Sequence, residues 1–253
     1  MSRVREKAAR SLAWVASYLD ILTLAFGAAA AVLAVAHSAG FPKASTWSAG
    51  HALPPIQIAA VAAWVTGQVC LAIQGRRRRR NRKLEDACRN VAAFVDEKCP
   101  SLPLAEVGVH IWQVPLVKRQ LRRAGSFLLI GDRARSGIPW TKGKGVVGEA
   151  WRLKTHLTKN LEEIRARANT REAFEALPID DRLGLSWSEV QRTPAYKAVY
   201  ARPLYSREGQ DHDIKGILAI DILGDGHYGA LVRATEDEGF LGVIGTCETA
   251  LSS

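Results

Sequence analysis

The chain has 253 residues, enough for a short membrane anchor and one domain of ordinary size. Its net charge of +10 is one-sided: 12 of the 35 Lys/Arg and 2 of the 25 acids fall within residues 1–83, leaving 23 of each beyond. The basic excess therefore belongs to the flanks of apolar segments, which argues against a nucleic-acid surface on the remainder. Cys70, Cys88, Cys99 and Cys247 lack the paired spacing of a disulfide framework or a zinc ribbon.

Taken in chain order, two apolar segments come first. Residues 12–36 are mostly apolar, with Asp20 the single charge, and Pro54–Gln74 carries no charge. A span needs roughly 20 apolar residues, and both segments meet that length. Arg3, Arg5, Lys7 and Arg10 precede the first, and Arg76–Arg80 with Arg82 and Lys83 follow the second, whereas the connecting loop holds only Lys43. The positive-inside rule predicts a hairpin in the inner (cytoplasmic) membrane with both termini cytoplasmic. Trp14, Trp47 and Tyr18 are candidates for the lipid–water boundary, and Asp20 for its cytoplasmic edge or for a functional site within the span. A cleaved signal peptide would be shorter and would not be followed by a second span. Buried core helices would leave the five-arginine run unexplained. That run reads as a contact with anionic headgroups, with phosphate binding as the alternative.

Residues 84–253 read as one α/β domain. Leu84, Cys88, Val91 and Val95 form a helical stripe closed by Pro100. Val107–Val114 alternates like a strand, and Ser126–Ile130 is a second short strand. Gly131–Lys144 is a turn-rich loop carrying Trp140, followed by Val146–Leu153. Leu161–Leu177 is charged and helix-prone. Ala198–Tyr205 and Ile214–Ile222 are strands joined by a polar loop, and Phe240, Val243, Ile244, Cys247 and Leu251 mark a last helix.

Three segments carry a resemblance. Lys144-Gly-Val-Val-Gly-Glu-Ala-Trp151 is similar to the glycine-hydrophobic turn of GAF sensor domains, Tyr200-Ala-Arg-Pro-Leu204 to their strand ending in Pro-Leu, and Lys215-Gly-Ile-Leu-Ala-Ile-Asp221 to the strand that follows. The resemblance covers about residues 84–252. It implies a central antiparallel sheet flanked by helices, a small-ligand pocket, and dimers through helices at about 84–97 and 240–252. The pocket it implies would be lined by Trp112, Trp140, Trp151, His156 and Arg202. The charged stretch at about 156–196 exceeds what a compact member needs and reads as a solvated insertion, or as a lid.

Other motifs fail on context. Gly143–Gly148 fits G-x-G-x-x-G, but no hydrophobic strand precedes it and no acid ends a second strand at the right distance. Asp221–Gly226 lacks the calcium-loop residues at its third and twelfth positions and reads as a strand end and turn. Asp211-His212-Asp213 is a solvated loop. Asn169 and Phe174 fall where cyclic-nucleotide members of the family carry a signature, but its flanking residues are absent. Cys88 lies on an apolar stripe, which disfavours a sulfoxide-reductase cysteine cluster.

The sequence thus predicts a membrane-tethered, non-enzymatic sensor with no metal or cofactor, binding a small ligand or a protein partner. The alternatives are a ligand-gated membrane-disrupting effector and a methionine sulfoxide reductase.

Overall fold

The computed structural model describes residues 53–115, 120–129, 137–193, 196–205 and 213–252, with side chains from Trp64 onward. Helix α1 spans Leu53–Lys98 and ends before Pro100. The helix expected at 54–74 and the one expected from Leu84 are therefore one element rather than two. The arginine run is helical, because arginine is a good helix former and neither Gly nor Pro interrupts residues 76–98. Among the described residues no helix is long and apolar enough to cross a membrane, and the first expected span, 12–36, lies outside them. The chain divides at Arg78/Arg79 into two units, and the account below concerns the second.

A 3-10 turn at Leu104–Glu106 leads into β1 (Val107–Gln113) and β2 (Arg122–Leu128). Helix α2 (Gly145–Leu153) follows, then β3 (Leu157–Asn160). Four short helices come next: α3 (Leu161–Arg167), α4 (Arg171–Ala176), α5 (Ile179–Arg182) and α6 (Trp187–Val190). Strands β4 (Ala198–Tyr205) and β5 (Ile214–Ile222) and helices α7 (Tyr228–Glu236) and α8 (Gly239–Ser252) complete the domain. The fold is α/β: a five-stranded antiparallel sheet in the order β2-β1-β5-β4-β3, flanked by helices.

The two-residue period of the strands separates two chemistries. Val107, Val109 and Ile111 of β1 and Leu218, Ile220 and Ile222 of β5 point to one face. There they pack with Leu84, Cys88, Val91 and Val95 of α1 and with Phe240, Ile244 and Cys247 of α8. Each such large apolar side chain contributes about 1.5–3 kcal/mol on burial. The stripes expected on both helices thus form the main core. Gly125 in β2 allows α1 this close, since a Cβ there would lie 2.9 Å from that of Leu84. The opposite face presents Val199, Ala201, Ile217 and Ala219 to Val146, Val147 and Ala150 of α2.

The helix expected over Leu161–Leu177 is two helices. Asn160 caps α3, accepting from the Glu163 N–H, and Thr170 caps α4, accepting from the Ala173 N–H. A second cap inside the segment restarts the helix. The expected strand Ser126–Ile130 runs instead from Arg122 to Leu128, because its register is set by pairing with β1. The insertion has its own small core, in which Ala168, Phe174 and Leu177 are buried with Trp187 and Val190 against them.

Candidate ligand pocket

The second face of the sheet is only partly covered by α2. Over its remainder the 157–196 segment closes a cavity of about 420 Å³, within the size range of small-molecule sites. His110, Trp112, Val199, Ala219 and Asp221 form the floor, and Leu161, Ile164, Arg165, Phe174 and Leu183 come from the insertion. The segment expected to be solvated or a lid therefore supplies one wall of a pocket.

On the floor His110 and Asp221 are 6% and 3% exposed. His110 Nε2 lies 2.9 Å from Asp221 Oδ1. Asp221 is the penultimate residue of β5, ahead of the turn expected there, and is buried. On β1, Trp112 lies on the same face as His110, with ring centroids 6.4 Å apart. Trp112 in turn meets Trp140 edge-on at 6.4 Å, a geometry worth about 0.5–1.5 kcal/mol beyond burial. Gly145 is needed here: its φ is +65°, and a Cβ would collide with the Trp140 ring. Among the described residues, neither His110 Nδ1 nor Trp112 Nε1 has a hydrogen-bond partner.

Among the described residues four arginines line the cavity: Arg122, Arg123, Arg165 and Arg182. Arg165 donates to the Tyr196 carbonyl at 2.9 Å and to Thr193 Oγ1 at 3.3 Å. Burial pulls its guanidinium below the ordinary arginine range. Arg182 Nε has no acceptor among the described residues. Of the two lining acids, Asp181 is held by Arg167 at 2.9 Å and Asp221 by His110. The described lining therefore carries a surplus of positive charge beside aromatic walls.

The insertion is fastened to α2. Lys144 Nζ lies 2.9 Å from Glu189 Oε1, and the Gly145 N–H donates to the Leu183 carbonyl at 2.7 Å. Burial opposes ionisation of Glu189, but hydrogen bonds from Lys144 and Ser186 outweigh it and hold the carboxyl below its ordinary value.

Of the residues expected to line a pocket, Trp112 and Trp140 are brought together in this cavity. Trp151 packs against the α2 core without reaching the cavity lining. His156 lies 6.2 Å from the Tyr200 ring, and Tyr200 belongs to the opposite, helix-packed face. Arg202, two residues along β4 from Tyr200, is on that face as well. His110, Arg165, Phe174, Arg182 and Asp221 were not anticipated. The signal for two of them was present: His110 and Asp221 alternate with Val109, Ile111, Ile220 and Ile222, so they fall on the second face of covered strands.

Cys88, Cys99 and Cys247 are buried in the helix-side core, away from the cavity. Burial raises the Cys88 thiol far above its ordinary value and pushes Cys247 up to about 12. Cys99 Sγ donates to the Ala230 carbonyl at 3.0 Å. Among the described residues no group of His, Cys, Asp and Glu is arranged to hold a metal ion.

No protein-family model matches the chain. No curated protein matches it. Among solved structures, it is similar to the type II free methionine-R-sulfoxide reductase of Thermoplasma acidophilum, at 12% identity, over 67% of this chain and 96% of that one, with a TM-score of 0.35. It is also similar to the GAF domain of an Acinetobacter phosphoenolpyruvate-protein phosphotransferase, at 13% identity, over 66% and 91%, with a TM-score of 0.34.

Proposed function

We propose that residues 84–253 form a GAF-like sensor domain that binds a small anionic ligand with an aromatic ring and has no catalytic activity of its own. The carrying observation is the cavity, whose described lining has aromatic walls, four arginines and two acids that are both already paired. The three motif segments support the family reading by their placement. The Gly145–Trp151 segment opens and fills α2, Pro203-Leu204 lies in β4, and Gly216–Asp221 lies in β5. Gly216 is required where it sits, since a Cβ would press on the Trp112 carbonyl and on Leu251.

The reductase reading is disfavoured because no thiol is among the described lining residues, and the three core thiols are held protonated or hydrogen-bonded elsewhere. Attachment to the inner membrane, with both termini cytoplasmic, rests on the sequence pattern of charges and apolar segments. The exposed row Trp64, Val65, Val69 and Ile73 on α1 is consistent with burial against lipid or another helix. Self-association through residues 84–97 and 240–252 belongs to the same proposal.

Tryptophan fluorescence tests the pocket, because Trp112 and Trp140 line it. Titration of the full chain with a panel of aromatic phosphates and carboxylates is expected to give saturable quenching that Trp140→Phe reduces. Absence of saturable binding across the panel would remove the reading.

A further inference from the structure

The charges around the cavity specify the class of anion it holds, an inference that rests on the reading of the cavity as a ligand pocket. Its described lining sets Arg122, Arg123, Arg165 and Arg182 against two carboxylates, Asp181 and Asp221, and includes no lysine or glutamate. Asp181 is bonded at 2.9 Å to Arg167, which is not on the lining, and Asp221 lies 2.9 Å from His110 Nε2. Among the described residues the side chains of Arg122, Arg123 and Arg182 form no hydrogen bond or ion pair. Off the lining the pattern is different: Arg152, Arg167 and Arg171 are each matched with a carboxylate, of Glu149, Asp181 and Glu175 respectively. Arg165 donates to the Tyr196 carbonyl and the Thr193 hydroxyl, two neutral acceptors that do not offset its charge.

Two walls supply these cations. Arg123 stands directly opposite Trp112 in the β1/β2 ladder, and directly opposed residues share a face, so the edge strand adds a cation on the cavity side. Arg165 and Arg182 come from α3 and α5 of the segment folded over the sheet. Charges around a cavity of about 420 Å³ act on one occupant together, because screening at about 0.1 M salt sets in over about 10 Å. Gathering like charges there is unfavourable without a counter-charge, and a singly charged occupant offsets only part of the surplus. We propose that the occupant is an aromatic phosphate monoester, dianionic at neutral pH, rather than a carboxylate, a sulfate ester or a phosphodiester, each of which carries a single charge. A monoester has its second pKa at about 6 and so carries about −1.5 to −2 at neutral pH, with three terminal oxygens as acceptors. Guanidinium forks match such oxygens in pairs.

The test uses two probes that differ in charge: 4-methylumbelliferyl phosphate and 4-methylumbelliferyl sulfate, which share the ring, the bridging oxygen and three terminal oxygens. Binding of each to the full-length chain is measured calorimetrically in neutral buffer at fixed ionic strength. Wild-type protein is expected to favour the phosphate by about tenfold or more, the factor carried by one hydrogen bond to a charged group. Arg123→Gln and Arg182→Gln are each expected to reduce that preference at least several-fold, with the fold checked by circular dichroism. Arg171→Gln removes the same charge from an exposed pair with Glu175 off the lining, and is expected to leave the preference unchanged. Equal binding of the two esters by the wild-type chain would overturn the monoester assignment while leaving the pocket intact. A preference that falls as far in Arg171→Gln as in Arg182→Gln would overturn it too, since overall charge and not the lining would then set it. Binding of neither ester would overturn both this assignment and the reading beneath it.

Discussion

His110 and Asp221 lie on neighbouring strands without being directly opposed. Asp221 faces Gly108 and His110 faces Ala219 across the β1/β5 ladder, so the two side chains meet diagonally, with Nε2 2.9 Å from Oδ1. Gly108 opposite Asp221 leaves the carboxylate room to lean along the strand toward the imidazole. The diagonal is within reach only because both side chains are on the same face.

Removing one partner of this buried pair is expected to destabilise the domain. Asp221→Ala leaves the His110 N–H without its acceptor and should cost about 1–3 kcal/mol, read as a lowered urea midpoint at unchanged slope. Asp221→Asn keeps an acceptor oxygen at the site and should cost less. A cost for Asn equal to that for Ala would show that charge rather than hydrogen bonding holds the pair.

Arg182 should behave in the opposite way. Because its Nε has no acceptor among the described residues, Arg182→Ala is expected to change stability by no more than about 0.5 kcal/mol. Affinity for an aromatic phosphate should nevertheless fall about tenfold or more, as loss of a hydrogen bond to a charged group requires. Comparison of inosine monophosphate with inosine checks the assignment, since the variant should lose most of the difference between them.

The Lys144–Glu189 ion pair predicts a pH signature. The Glu189 carboxyl is held below its ordinary value in the folded protein. Its stabilisation is therefore complete above the usual carboxylate range and is lost as pH falls through the lowered value. The stability difference between wild type and Glu189→Gln should be largest near neutral pH and shrink in acid, as followed by urea denaturation across the pH range.

Gly148 is predicted to be indispensable for packing. A Cβ there would fall on the Thr141 carbonyl oxygen, and the same turn is closed by the Gly143 N–H donating to the Gly148 carbonyl at 2.7 Å. Gly148→Ala is expected to cost about 1–3 kcal/mol through forced backbone shifts, and to displace Trp140, visible as an altered emission maximum.

The core thiols should be inert. Cys88, Cys99 and Cys247 are buried, so in the native chain none is expected to react with a thiol reagent on the timescale on which exposed thiols do, and all three should react once urea unfolds the domain. Rapid labelling of Cys88 in native protein would reopen the reductase reading.

Much of the scaffold was legible in the sequence because it rests on local periodicity. The strands Ala198–Tyr205 and Ile214–Ile222 have the bounds expected, and the stripes through Leu84–Val95 and Phe240–Leu251 both face the sheet. Strand β3 was missed because Leu157–Asn160 is four residues long with only Leu157 apolar, held by pairing with β4 rather than by its own pattern. Helix α7 was missed because its first residues follow Gly224 and Gly226 and read as turn. The pocket was half-visible. Tryptophans draw attention as aromatic walls, and two of three proved to be such. Arg165 sits in what looks like an ordinary charged helix and Arg182 in the charged stretch beyond it, and only the folding of that segment back over the sheet brings both to the cavity lining.

The alternation of β1 and β5 has an evolutionary consequence. Val107, Val109 and Ile111 of β1 and Leu218, Ile220 and Ile222 of β5 belong to the helix-packed core, and His110, Trp112, Ala219 and Asp221 between and beside them line the cavity. Single substitutions at Trp112 or Ala219 alter the cavity-facing side of the sheet, while the residues that hold α1 and α8 stay as they are. A chain built this way can exchange one ligand for another in small steps without first giving up its stability.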